Sequence, residues 1–569
     1  MRNLLGRLFN PLFARLPRPF RVLVRQFLLR VIDLEALSVH ADVPRFLGQF
    51  AGLLILINVF RTIGFLFFEA GRPDLQGPGL LNVIWARGQG FVSMMMLVTG
   101  LIAVVSWDTI FPDRRDAMVL GPLPVRPATI LAAKVAACAA VVGIAILCLT
   151  SGMGIVIPIV AGSWSVFFAW WITMAAACAF VYGAVLAAQG IMALLLPRKM
   201  FLRLSAALQI AAFAWFVSSY FLEPGFATRE DTVRAAASGQ LNLWPSWWFF
   251  SLGLRIAGAI SPHAAGLRAL AVRAALALGI VLTGAAASLA LCYLRTMKKT
   301  VEEPDLVPGR SGLRLAFPLG GKVETAVVRF TARGLARSRH HRVIDAFYWA
   351  IVFAVAVSTL RSEAAGAWRL PVTQSTMMPT FAILCLAIVG LRSTFALPVS
   401  LHANWVLRVT QLHPSQRYLA GARRALLLLA ALPALALAAL LGLGFRPWAH
   451  VAAHLAVLAL VAWILTELCL IHVSKIPFAC SYLPGKTNVQ YVFWAFVVIF
   501  FPVAMMLANQ EMRALDHPAR FAGLLAILAA LAAGLWQFNR HQARSAVLYY
   551  EELEPEVIQT LGIGSYVEG

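Results

Sequence analysis

The sequence predicts an all-α, polytopic membrane protein of about twelve transmembrane helices in two pseudo-repeated six-helix halves, each preceded by an amphipathic interfacial helix. Three observations lead there. Of 569 residues, 60% are hydrophobic and 13% charged, with mean hydropathy +0.79; a soluble chain of this length could not be given a polar surface from so little polar residue. The apolar residues fall into runs of roughly 18 to 25, the helical length that crosses a bilayer core of about 30 Å, with none of the alternating segments that build membrane barrels. Most of the 48 Lys and Arg lie in segments that this topology puts on one side, and positive charge kept on the cytoplasmic face orients such chains. The formal charge of +23 therefore reads as orientation and attraction to anionic lipid. Nucleic-acid binding is not expected, because the basic residues are scattered and the aromatics are needed in the membrane.

Residues 1–45 form a basic cytoplasmic segment. Within it Phe20 to Leu37 reads as an interfacial helix, with Arg18, Arg21 and Arg25 on one face and Val24, Phe27, Leu28 and Val31 on another. The first apolar run starts near Phe46, too far from Met1 for a cleavable signal. The first unit, 46–298, holds spans at roughly 47–69, 88–107, 131–157, 165–195, 204–222 and 267–294. Residues 299–344 form a linker, Pro- and Gly-containing through Gly321, and then a second amphipathic helix from Lys322 to Arg339. Arg329, Arg333 and Arg337 there stand opposite Val323, Val327 and Phe330. The second unit, 345–540, holds spans at roughly 345–360, 377–399, 425–444, 448–472, 490–508 and 520–537. A cytoplasmic tail, 541–569, follows, so both termini are expected inside a bacterial inner membrane.

The layout repeats. Each half has a long basic loop after its second span (108–130 and 400–424) and a shorter one after its fourth (196–203 and 473–489). Trp107 precedes Pro124, Arg126 and Lys134; Trp405 precedes Pro414, Arg417 and Arg423. Repeats of six spans keep the halves parallel. The halves differ in the external loop from Glu223 to Gly266, whose cluster Trp244-Pro245-Ser246-Trp247-Trp248-Phe249-Phe250 reads as an anchor at the membrane–water boundary or, more sharply, as an outer lid in contact with lipid.

In the loop 106–134, Asp113 and Asp116 flank Arg114 and Arg115, and prolines follow at 122, 124 and 127. Proline fixes φ, so the loop is a stiff charged projection suited to docking a partner. Its stretch "FPDRRD…LGPLPVRPATILAAK" resembles the cytoplasmic segment between the second and third spans of bacterial ABC exporter permeases of the second type, and the helix before the first span resembles that family's interfacial connecting helix. This chain departs from the family by fusing two such units. The resemblance implies a permease energised by a separate ATPase subunit, in two copies, that docks on these loops. Candidate docking residues are Asp108, Phe111, Pro112, Asp113, Arg114, Arg115, Asp116, Pro124, Arg126 and Lys134 in the first half. Trp405, Arg408, Arg417, Lys475 and Lys486 are their counterparts in the second.

No cofactor is expected in this chain, ATP belonging to the partner. "CSYLPGKTN", 480–488, ends like a phosphate-binding loop, but Cys480 stands where the first glycine is required and no strand precedes it. Among charges within spans, Arg61, Arg273 and Glu467 are candidate pathway residues, while Arg268 and Arg392 lie close enough to span ends to snorkel. His340 and His341 read as a basic flank. The seven cysteines show no metal spacing, and no nucleophile–base or paired-carboxylate motif points to catalysis. The alternatives are an ion-coupled secondary transporter, and a membrane enzyme or assembly factor for lipid-linked substrates.

Overall fold

A computed structural model describes residues 17–30, 43–67, 78–107, 120, 123–226, 228–260, 264–302, 321–363, 370–395, 397–398, 404, 415–471, 476, 478–479 and 499–545. The first half comprises α1 (Arg18–Arg30), α2 (Val43–Phe65), α3 (Pro78–Val105), α4 (Pro127–Ala161), α5 (Trp164–Leu195), α6 (Arg198–Leu222), α7 (Arg229–Ala237), α8 (Pro245–Ile256) and α9 (Ala265–Glu302). The second comprises α10 (Lys322–Arg337), α11 (Arg339–Glu363), α12 (Gln374–Thr394), α13, α14 (Trp448–Cys469), α15 (Phe501–Leu515) and α16 (Pro518–Ser545). α13 runs over Ser415–Leu426, widens into a π turn at Leu427–Ala431, and continues as Leu432–Gly442. Pro433 explains the widening: its ring cannot sit beneath the carbonyl four residues back, which lies inside the π turn.

Eight of these helices, α3, α4, α5, α9, α12, α13, α14 and α16, are long and apolar enough to cross a membrane, so the chain is membrane-embedded and all-α. α2, α6 and α11 carry shorter apolar stretches, Ala51–Phe65, Ala207–Leu222 and Ile344–Thr359. The first part of the expected span 490–508 lies outside the described residues. Large apolar side chains such as Ile159, Trp164, Ile280, Leu291 and Ile527 stand exposed on the bundle surface, as lipid contact requires when backbone polarity is satisfied within each helix.

α1 and α10 lie across one end of the bundle. α1 buries Val24, Phe27 and Leu28 against Ile130, Ala133 and Ala137 of α4, the face its periodicity predicts. α10 differs from expectation. Its buried stripe is Thr325, Val328 and Thr331, with Val327 beside it, whereas Phe330 is half exposed at its edge and faces Phe478. The opposite end carries α7, α8 and a two-residue parallel pair, β1 (Leu370–Pro371) with β2 (Phe445–Arg446).

The segment 228–260 is more built-in than an anchor would be. Thr228 caps α7 by accepting from the Asp231 N–H at 3.1 Å. α8 starts with Pro245 and packs on α3, α5 and α9, which buries Trp247, Phe249 and Phe250 beneath Trp85, Phe226 and Phe180.

The apolar core divides into two large clusters, one drawn from residues 54–274 and one from 328–532. A small cluster joins them: Val104, Phe213 and Val217 meet Ala350 and Ala354 along α6 and α11, with the Phe213 and Phe347 ring centroids 4.6 Å apart. Some packing partners recur along the chain: α1 packs on α4 as α10 does on α13, α3 on α5 and α6 as α12 does on α14 and α15, and α5 on α9 as α14 does on α16. α5 and α9 approach closely because Gly190 faces Ser288; a Cβ there would stand 2.7 Å from Ser288 Cβ.

Candidate functional site

At the end bearing α1 and α10, polar side chains close the carbonyls that helices leave open. Trp107 is buried; its indole donates to Ser205 Oγ at 2.8 Å, and its carbonyl accepts from Gln189 Nε2 at 3.1 Å. Gln209 Nε2 donates to the Val104 carbonyl at 2.8 Å. The two glutamine bonds serve carbonyls at the C-terminal end of α3, where helical acceptors run short of partners, the Val104 carbonyl also being reached by the Trp107 N–H at 3.4 Å. In the second half His341 does this work: Nε2 lies 3.0 Å from the Leu397 carbonyl and Nδ1 2.6 Å from Ser338 Oγ. It is a buried bracing residue, not part of an exposed basic flank.

Lys134 and Arg424 each lie ten residues past a loop proline, Pro124 and Pro414. Lys134, 3% exposed and on α4, sets its ammonium 5.3 Å from the Phe27 ring of α1, and Arg424 of α13 is ion-paired with Glu324 of α10. A buried lysine cannot meet a docking subunit, so Lys134 ties α4 to α1 and does not belong on the docking surface. Pro124, Arg126 and Arg417 are exposed at this end, with Arg126 at the N-cap of α4. Asp108, Phe111, Pro112, Asp113, Arg114, Arg115, Asp116, Trp405, Arg408, Lys475 and Lys486 lie outside the described residues, as does 480–488.

The intramembrane charges separate by environment. Glu467 on α14 is fully buried, 2.5 Å from Arg423 Nε of α13 and 2.7 Å from Asn539 Nδ2 of α16. It clasps three helices together, which makes it a structural pair and not a pathway lining. Arg61 packs 4.2 Å over the Phe91 ring and reaches Met94 Sδ at 2.9 Å. Arg273 is exposed and binds Asn242 Oδ1 at 2.7 Å beside Trp248. It fastens α9 to the segment 228–260 through these two contacts, at the surface of the bundle.

Two sites are absent from the sequence expectations. One is a groove of about 310 Å³ between α3, α5 and α6, roofed by Trp244-Pro245-Ser246. From Leu208 to Glu223 it follows α6 for about 22 Å at 1.5 Å per residue, most of a bilayer core of about 30 Å. Its walls are Met96, Leu97, Val181, Val185, Leu208 and Phe216; at one end lies the carboxyl of Glu223, which accepts a hydrogen bond from Ser246 Oγ. Burial pushes this carboxyl up to about 7, against the pull of hydrogen bonds from Ser246, Ser93 and Gln89. Trp215, 66% exposed, stands at the rim.

The other is a buried triad in the second half. His454 Nδ1 lies 2.9 Å from Glu511 Oε1, and its Nε2 lies 2.7 Å from Thr380 Oγ1. Glu511 is fully buried. A signal for it existed: Ala504, Ala508 and Glu511 fall on one helical face, so the acid continues the apolar stripe of α15. No such signal marks Glu223, whose partners come from α3 and from a loop 23 residues on.

Comparison with known protein families, curated proteins and solved structures finds no match to this chain.

Proposed function

We propose that this chain is the membrane permease of an ABC-type exporter, two six-span units fused in one polypeptide and driven by a separate ATPase that docks from the cytoplasm. The observation that carries the reading is the matched attachment of the two interfacial helices. In each half a basic residue ten positions past the loop proline grips the helix lying on the bundle end, through Lys134 and Phe27 or Arg424 and Glu324. A load applied to the charged loop thus passes into the third span and the interfacial helix together. The recurring packing partners of the two halves and their separate cores support the duplication. The positive charge supports placing α1 and α10 on the cytoplasmic side. In this reading the nucleotide sits on the partner.

Copurification with a candidate ABC-type ATPase subunit tests the reading. Stable association is expected, weakened when Asp113, Arg114, Arg115 and Asp116 are replaced by Ala, together with ATP-dependent substrate movement in proteoliposomes. Full association by the substituted chain, or transport without any ATPase, defeats it.

A second reading draws on the His454–Glu511 pair, since a buried acid beside an imidazole at membrane depth is the chemistry of a proton relay. An ion-coupled carrier predicts transport driven by a proton gradient without ATP, and its loss in Glu511→Gln.

A further inference from the structure

The groove beside α6 differs at its two ends, and the difference selects a ligand. Over most of its length the lining is hydrocarbon and aromatic: Met96, Leu97, Val185 and Leu208 lead toward Trp107. At the other end Glu223 is gathered with Tyr220, Trp244 and Ser246. Ser246 donates to this carboxyl, as do Ser93 and Gln89; of the about four lone-pair sites a carboxylate offers, one remains for the cavity. Aromatic faces next to a carboxylate favour an alkylated ammonium, whose charge is held by both. A sulfate or phosphate head is repelled by Glu223, and a sugar head leaves the carboxylate without a counter-charge in a poorly hydrated place. The tail compartment runs about 22 Å along α6 and is narrow, with a volume near 310 Å³, suited to one alkyl chain and not to a two-chain lipid. The exposed Trp215 at its rim leaves a lateral way in from the bilayer.

We propose that this groove binds a single-chain alkylammonium amphiphile, its head against Glu223 and its tail directed toward Trp107. Calling that amphiphile the transported substrate rests on the permease reading; the binding itself does not.

The test uses the full chain in phosphatidylglycerol nanodiscs and an alkyltrimethylammonium probe with a photoreactive group at the chain end, a head whose charge does not titrate. Labelling is expected to saturate and to map to Met96, Leu97 and Leu208 to Ala212. Dodecyltrimethylammonium should compete, while dodecyl maltoside, with the same chain and an uncharged head, should not. Glu223→Gln is expected to weaken labelling at least about tenfold, equivalent to about 1.4 kcal/mol. Glu223→Asp, which keeps the charge, retains most of it, and Ala212→Trp, which fills the groove, abolishes it. Thermal melting of each variant separates lost binding from lost fold. Equal competition by the maltoside, unchanged labelling of Glu223→Gln, or unsaturable label spread over lipid-facing residues such as Ile159 and Ile280 overturns the site. Saturable, Glu223-dependent labelling with no ATP-driven movement of the probe keeps the site and removes the permease reading.

Discussion

At Glu223 the cost of burial outweighs the hydrogen bonds it receives, and the carboxyl is pushed from 4.5 to about 7. The folded chain therefore holds this proton more tightly than the unfolded chain. Between those two values stability falls as pH rises, by up to about 3 kcal/mol, and above about 7 the effect is constant. Glu223→Gln should flatten the melting temperature between about pH 5 and 7 and raise it relative to the parent at about pH 8, measured by fluorescence melting. At Glu467 the sign differs, because the acid is paired. Glu467→Ala strands Arg423, itself 15% exposed, and should cost about 3 kcal/mol, while replacing both by Met recovers most of the loss. Glu467 was legible in the sequence as an ionisable group in an apolar run. Glu223 was not, because it closes one helix and gains its meaning from Ser246, which only tertiary folding brings to it. Arg273 was legible but misplaced, since no periodicity reveals Asn242 waiting above it.

Among the described residues, eight of the expected apolar runs form helices long and apolar enough to cross a membrane, because run length and the backbone's need for internal hydrogen bonds leave little alternative. What the pattern could not supply was partnership. The Glu223–Gly266 loop looked like a boundary anchor from its tryptophans, yet α8 buries three of its aromatics against three other helices. On α10, Arg333 is exposed as its position in the Arg series predicts, but Phe330 falls at the edge of the buried stripe, while Val327 packs against Gly421 and Tyr418 of α13. Close approach is testable at α5 and α9: Gly190→Val drives a branched side chain into Ser288 and should cost about 1–3 kcal/mol, read as a lower melting temperature. A variant that also carries Ser288→Gly should regain part of it. At the interfacial helix, Arg424→Ala removes the tie to Glu324 and should speed amide exchange in Lys322–Arg337 while leaving α14 unchanged.

For the molecule as a whole, the two cores suggest that the halves fold as separate units. Expressed as two polypeptides divided within 303–320, they should assemble and copurify, and Ala354→Trp at the seam should prevent assembly while each half still inserts. The α6–α11 seam is extensive: Phe213 and Val217 meet Ala350 and Ala354, with Val104 of α3 beside them and Ala212, Phe216, Phe347 and Ile351 packed around them. A long helix-on-helix face of that kind restricts how the halves can move. Rolling about it leaves each packed interior intact, yet α6 is also a wall of the groove, so any roll alters the groove's bore. An occupant of the groove would then feel such a motion as a tightening or loosening grip.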